Sequence, residues 1–306
     1  MEYKPDIDAK ASEESGVSSD SFNDVAAAFL PTLEKEFFFI VGMQKSGTTW
    51  LQYLLHEHCQ IVCRGESNFN IRLEKPLAEV FTAYNDKVSG GGDKQKTFLE
   101  QQDYDWVQFT TILRVMAKWC EEKHSADIKV IGERTPNFMY RRMVGWNRYF
   151  PKAKFIHIIR DPRDAAVSGW FFWLRRSPEV TFKRYNNINN FALIFIKEWE
   201  KKVGAAREYG RTLGDRYCEV KYEDLNVDPI AEATRLAKYL NVDSSEQTIE
   251  ACIKATSFEK LSGRLKGEED RSGSKFRKGV VGDWVNHLDK ELVDALPTPL
   301  FDSMYR

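Results

Sequence analysis

No apolar run in this sequence approaches the roughly 20 residues needed to cross a bilayer, and the N-terminus lacks the basic-then-apolar order of a secretory signal. A cytoplasmic protein that meets no membrane is the expectation. An excess of one charge sign is missing too: 45 Lys and Arg stand against 46 Asp and Glu, a formal net charge of −1. No global field draws the chain to nucleic acid, so any anion site has to be assembled locally. Cysteine is sparse. Five in 306 residues, an odd number at irregular spacing, make no disulfide framework and are read as thiols of a reducing compartment. Repeats, heptads and low-complexity tracts are lacking beyond the N-terminus.

What is present suits one globular unit. With 42% hydrophobic residues the chain buries a large core at the upper size limit of one domain. Residues 1–22 are polar, acidic and Ser-rich and are expected to be a flexible tail, leaving 23–306 as the domain. FFFIVGM (37–43) reads as a strand buried on both faces, followed by a helix from Thr48 to His58. KAKFIHIIRD (152–161), led in by Pro151, is a second such strand, with a helical run from Pro162 through Trp173. RYCEVKYED (216–224) is a third, before a helix from Pro229 to Leu240. Repeated strand-then-helix order predicts an α/β fold, a central parallel sheet flanked by helices in three layers. Residues 88–96 and 263–279, rich in Gly, should be surface loops, the first a candidate lid.

The strongest local signal is GMQKSGTT, Gly42 to Thr49, which follows a buried strand and opens a helix. There the unpaired backbone N–H groups and the helix dipole stabilise a phosphate or sulfate oxygen, and Gly42 and Gly47 allow close approach. The frame is P-loop-like, yet position 48 is Thr where GxxxxGK[ST] requires Lys, and the lysine sits inside the loop as Lys45. Its ammonium would lie over the bridging oxygen of a terminal anionic group, where charge builds as the leaving group departs. This makes Lys45 the first catalytic candidate.

The segment KFIHIIRDPRDAAVSGW (154–170) resembles the 3′-phosphate motif of sulfotransferases that use 3′-phosphoadenosine 5′-phosphosulfate (PAPS), and QKSGTTWL (44–51) resembles their 5′-phosphosulfate loop. FRKGVVGDW (276–284) is similar to the segment that backs the 3′-phosphate in the cytosolic enzymes, and coverage runs from about residue 36 to about 290. The resemblance implies a donor site of Gln44, Lys45, Ser46, Gly47, Thr48, Thr49 and Trp50, with Arg160 and Ser168, and with Phe276, Arg277, Lys278 and Gly279. It adds Tyr222, Thr256, Ser257 and Phe258 on the nucleotide side, with Trp50 stacking on adenine. The planar Arg forks suit phosphate. PAPS is the implied co-substrate and a small molecule, saccharide or peptide the implied acceptor. Sulfuryl transfer moves a group of lower charge than phosphoryl transfer, so no metal is expected. His56, His58, Cys59 and Cys63 mimic a metal cluster, but residues at i and i+2 on a helix face apart.

The chain departs from the cytosolic pattern at the general base. Their Lys-Thr-His stretch aligns with GERTPNF (132–138), and Pro136 falls at the histidine. Glu66, in CRGESNF, resembles the catalytic glutamate of tyrosylprotein and heparan-type sulfotransferases. Glu133 is the second candidate, with Arg134 as a cation facing the sulfonate. His157 lies mid-strand and reads as a core histidine, whereas His124 and His287 read as exposed. In GWFFWLRR (169–176) a helix puts Trp170 and Trp173 on one face, which packs on the sheet or lines an acceptor pocket. The family's dimer motif is missing from VNHLDKELVD (285–294). A P-loop kinase or ATPase, with Asp161 as its Mg²⁺ ligand, and an inactive PAPS-binding protein remain the alternatives.

Overall fold

The computed structural model describes residues 31–90, 96–123, 125, 127–136, 139–270, 275–294 and 299–305. The expected tail at 1–22 and His124 lie outside the described residues. Five strands form one sheet: β1 (Glu36–Gly42), β2 (Ile61–Gly65), β3 (Val130–Arg134), β4 (Lys154–Ile159) and β5 (Tyr217–Lys221). Their spatial order is β2-β3-β1-β4-β5, and every neighbouring pair is parallel. The expected parallel α/β sheet is therefore present.

The α-helices are α1 (Thr48–Glu57), α2 (Lys75–Gly90), α3 (Gln101–Lys123), α4 (Met139–Tyr149), α5 (Pro162–Arg176), α6 (Pro178–Tyr185), α7 (Ile188–Thr212), α8 (Tyr222–Val227), α9 (Pro229–Tyr239), α10 (Glu246–Ala255), α11 (Phe258–Ser262), α12 (Lys290–Asp294) and α13 (Pro299–Tyr305). They cover both faces, which explains the continuous apolar strands. Along β1, Phe39 and Val41 enter a core with Met116 of α3, Met143 of α4 and Trp199 of α7. Phe38 and Ile40 point the other way, onto Leu51 and Leu54 of α1, Leu236 of α9 and Ile249 of α10. A third cluster joins Val167 and Trp170 of α5 to Phe191 and Ile196 of α7.

The chain reverses its order across the sheet on either side of β1, so the loop after β1 opens at the switch point where α/β sheets bind ligands. β2 and β3 are strands the sequence pattern did not reveal. Each has only five residues with a charge at or next to its end, IVCRG and VIGER; Arg64 pairs with Glu122 at the surface, whereas Arg134 at the end of β3 belongs to the site. The third expected strand is shorter than 216–224, because Tyr222 already begins α8. The loop expected at 88–96 is corrected in part: 88–90 complete α2, and 91–95 lie outside the described residues. Residues 264–270 and 275–279 form no helix or strand, but they are not merely surface. Asp270 is buried between Arg175 and Arg264, and Arg277 is buried against Asp283, because paired charges can leave water together.

Candidate active site

The loop after β1 is shaped by two left-handed residues, Lys45 at φ 68° and Gly47 at φ 92°. A Cβ on Gly47 would stand 2.5 Å from the Tyr222 ring, so glycine is required for both conformation and space. Leu51 N donates to Gly47 O at 3.0 Å, the first bond of α1. Helix geometry then leaves the Thr48, Thr49 and Trp50 N–H groups without intrahelical acceptors, a cradle for an anion at the positive end of α1.

The loop borders a cavity of about 560 Å³. Every site residue expected from the sequence lines it except Ser46 and Glu133. Ser46 is buried, and its Oγ has no hydrogen-bond partner among the described residues. Lys45 Nζ stands 4.4 Å from the centre of the Phe172 ring and 3.4 Å from the Lys275 carbonyl. No carboxylate of the described residues pairs with it. Burial, followed by the charges of Arg160, Arg175, Arg277 and Lys275, pulls its ammonium down to about 8.

One end of the cavity is aromatic. Trp50 Nε1 donates to the Thr256 carbonyl at 3.2 Å, and its ring meets Tyr222 edge to face at 5.7 Å. The Arg160 guanidinium lies 4.2 Å from the Tyr222 ring centre and donates to the carbonyls of Lys45 and Val280, each at 3.1 Å. Arg160 therefore ties the loop after β1 to the segment carrying Arg277. Asp164 ties that segment to α5, accepting from Gly282 N at 2.7 Å and Trp284 N at 3.0 Å. Arg277 and Lys278 both pair with Asp283 and Glu269. Asp161 faces none of this cavity. It caps α5 at Arg163 N, 2.8 Å, and binds the Arg163 guanidinium, so it does not stand as the unengaged carboxylate a magnesium site needs.

The end of β3 separates the two candidate carboxylates. Side chains alternate along a strand, so Glu133 and Arg134 face opposite sides of the sheet. Arg134 is on the α1 side, donating to Gln52 Oε1 at 2.8 Å and to Glu66 Oε1 at 2.9 Å, with Thr48 Oγ1 at 3.5 Å. Glu133 is 1% exposed beneath Thr135, whose hydroxyl donates to it, and does not line the cavity. Burial raises its carboxyl to about 7. Glu66 does line the cavity, on a left-handed backbone at φ 62° whose N–H donates to Arg134 O at 2.8 Å. Burial alone would raise its carboxyl, but Arg134 and Lys275 hold it below its ordinary value.

Other expectations divide. His157 is fully buried, with Nδ1 at 2.7 Å from Tyr217 Oη, and burial lowers it to about 4. His287 is half-buried against Asp283 rather than exposed. His56 Nδ1 accepts from Cys63 N, while His58 Nδ1 accepts from Gln60 N and its Nε2 donates to Asp243 O, so the two rings serve different backbone groups. Trp170 joins the core, whereas Trp173 is 37% exposed and lines the cavity with Phe172. The two tryptophans do not share one buried face. Sequence reasoning missed Asn68, Arg176, Asn226, Lys266 and Lys275 as lining residues. Only Asn226 carried a signal, one helical turn beyond Tyr222.

A family model described as the sulfotransferase family matches residues 38–246. Sulfotransferase 2A1 of Rattus norvegicus is 22% identical over 320 residues, covering 95% of this chain and 90% of that protein. Cytosolic sulfotransferase 17 of Arabidopsis thaliana is 30% identical over 170 residues, 46% of each. In fold the chain is similar to the crystal structure of mouse sulfotransferase SULT7A1 complexed with PAP, at a TM-score of 0.53 and 18% identity, covering 88% of this chain and 86% of that one. With the family model spanning more than half its length, the chain belongs to the sulfotransferase family.

Proposed function

We propose that the protein transfers a sulfonate group from PAPS to an acceptor hydroxyl or amine, releasing adenosine 3′,5′-bisphosphate (PAP), with Lys45 and Glu66 at the reacting atoms. The observation that carries this reading is the convergence on one cavity of Lys45, Arg134, Arg160 and Arg277 with the carboxylate of Glu66, which Arg134 holds; the cavity's other carboxylate, Glu259, lies beside Ser257 and Phe258 at the nucleotide end. The residues fit the donor. Arg160 Nε in the cavity wall, and Ser46 Oγ in the loop behind it, are buried without partners among the described residues, where a phosphorylated nucleotide would supply acceptors. When bound, the donor supplies an activated sulfonate on a phosphate leaving group.

The N–H groups of Thr48 and Thr49 would hold the 5′ phosphate, and Arg160, Ser168 and the Arg277 to Gly279 segment the 3′ phosphate. Trp50, Tyr222 and Phe258 form the aromatic end for the base. Glu66, ionised at neutral pH, accepts the proton of the attacking hydroxyl or amine as the new bond to sulfur forms. Lys45 faces the bridging oxygen on the opposite side and stabilises its charge as the old bond breaks in line. Arg134 serves both halves, orienting Glu66 and facing the group in transit. Transfer from labelled PAPS over a panel of phenols, alcohols, amines and saccharides tests the reading. Turnover of at least one class supports it, and none with any class contradicts it.

A further inference from the structure

Two cations at the cavity, Lys45 and Arg176, have no carboxylate partner among the described residues, whereas Arg134, Arg160, Lys275, Arg277 and Lys278 all have one and Lys266 lies within the field of Glu259. Lys45 is spoken for by the transfer itself. Lys266 Nζ is 2.6 Å from Asn226 Oδ1, beside Tyr222 at the nucleotide end. Arg176 stands apart, on the last turn of α5 with Phe172 and Trp173. Its neighbour Arg175 turns away to the buried Asp270, at 3.4 Å.

Phe172 links Arg176 to the reacting centre. Its ring centre is 4.4 Å from Lys45 Nζ and 5.1 Å from the Arg176 guanidinium carbon, and Trp173 meets it edge to face at 5.2 Å. The two cations therefore flank a single phenyl ring. An acceptor whose nucleophile reaches Lys45 and Glu66 extends along Phe172 and ends near Arg176. An exposed guanidinium with no carboxylate partner among the described residues favours an anion at that point and disfavours a cation.

We propose that the acceptor carries an anionic group, a carboxylate or sulfonate about one ring's length from its nucleophile, and that Arg176 binds that group with Phe172 and Trp173 packing the body between. This rests on the donor reading above, and the experiment keeps the two apart.

Binding is measured by calorimetry, first for PAP alone, then for two phenols in the presence of saturating PAP: 3-(4-hydroxyphenyl)propionate and its neutral analogue 4-ethylphenol. Failure of PAP to bind would remove the donor reading itself. With PAP bound, the acid should bind roughly tenfold or more tightly than the neutral phenol, with an advantage that shrinks as salt is raised. Arg176→Ala should abolish that advantage while leaving PAP affinity within about twofold, and Arg176→Lys should restore part of it. Equal binding of the two phenols by the unaltered protein would overturn the proposal, as would tighter binding of the neutral one. A loss of PAP affinity in Arg176→Ala would do so too, since Arg176 would then serve the donor.

Discussion

Arg134 Nη2 lies 2.9 Å from Glu66 Oε1, and the Arg134 carbonyl accepts from Glu66 N at 2.8 Å, so one residue at the end of β3 holds both the carboxylate and the backbone of the candidate base. The pairing keeps Glu66 ionised and aimed while lowering its basicity, a compromise suited to a base that must be ready at neutral pH.

Glu66→Gln keeps size and removes proton-accepting capacity. We expect kcat to fall by roughly 10² to 10⁴ while the Kd for PAP stays within a few-fold. Unchanged turnover would transfer the role of base elsewhere.

Lys45 sets a second limit. With its ammonium pulled down to about 8, the kcat/KM profile for donor should lose activity on an alkaline limb near that pH. The phosphosulfate opposes the neighbouring arginines, so the limb in kcat should move upward. Lys45→Ala should lower kcat by roughly 10² to 10³ and erase the limb.

Gly47→Ala combines a backbone at φ 92° with a methyl 2.5 Å from Tyr222. A loss of at least about 2 kcal/mol in stability follows, with PAP affinity weakened more than tenfold. Chemical denaturation and calorimetry read the two effects separately.

Much of this was legible in the sequence, and the limits are physical. β1 and β4 announced themselves because both faces of each are covered, which demands unbroken apolar runs such as FFFIV. β2 and β3 did not, since strands of only five residues with Arg64 next to the end of one and Arg134 at the end of the other look like loops; only Arg134 of the two turns out to serve the site. The donor loop was readable from glycine spacing. The choice between Glu66 and Glu133 was not, because it depends on which face of β3 meets the cavity. Arg176 was hidden for a related reason: adjacent arginines on one helix diverge, and only the buried Asp270 shows which one is occupied.

Glu133 makes a stability prediction independent of activity. Its folded carboxyl is raised to about 7 from an ordinary 4.5, so the folded state holds the proton more tightly than the unfolded chain. Its contribution is fully present below about pH 4.5 and is lost as pH rises to about 7, at roughly 1.4 kcal/mol per pH unit. Glu133→Gln should remove that slope from a series of denaturant titrations. An identical slope in the variant would place the titration on another group.

Fixed cations are what let the cavity hold a doubly phosphorylated nucleotide without a metal. The most direct test is the melting temperature without magnesium, with chelator present, in PAP or in ATP. PAP at about 100 times its Kd should stabilise the protein by about 2.7 kcal/mol, a rise of several degrees, and ATP should leave the transition in place. A shift with ATP that requires magnesium, and none with PAP, would contradict the account.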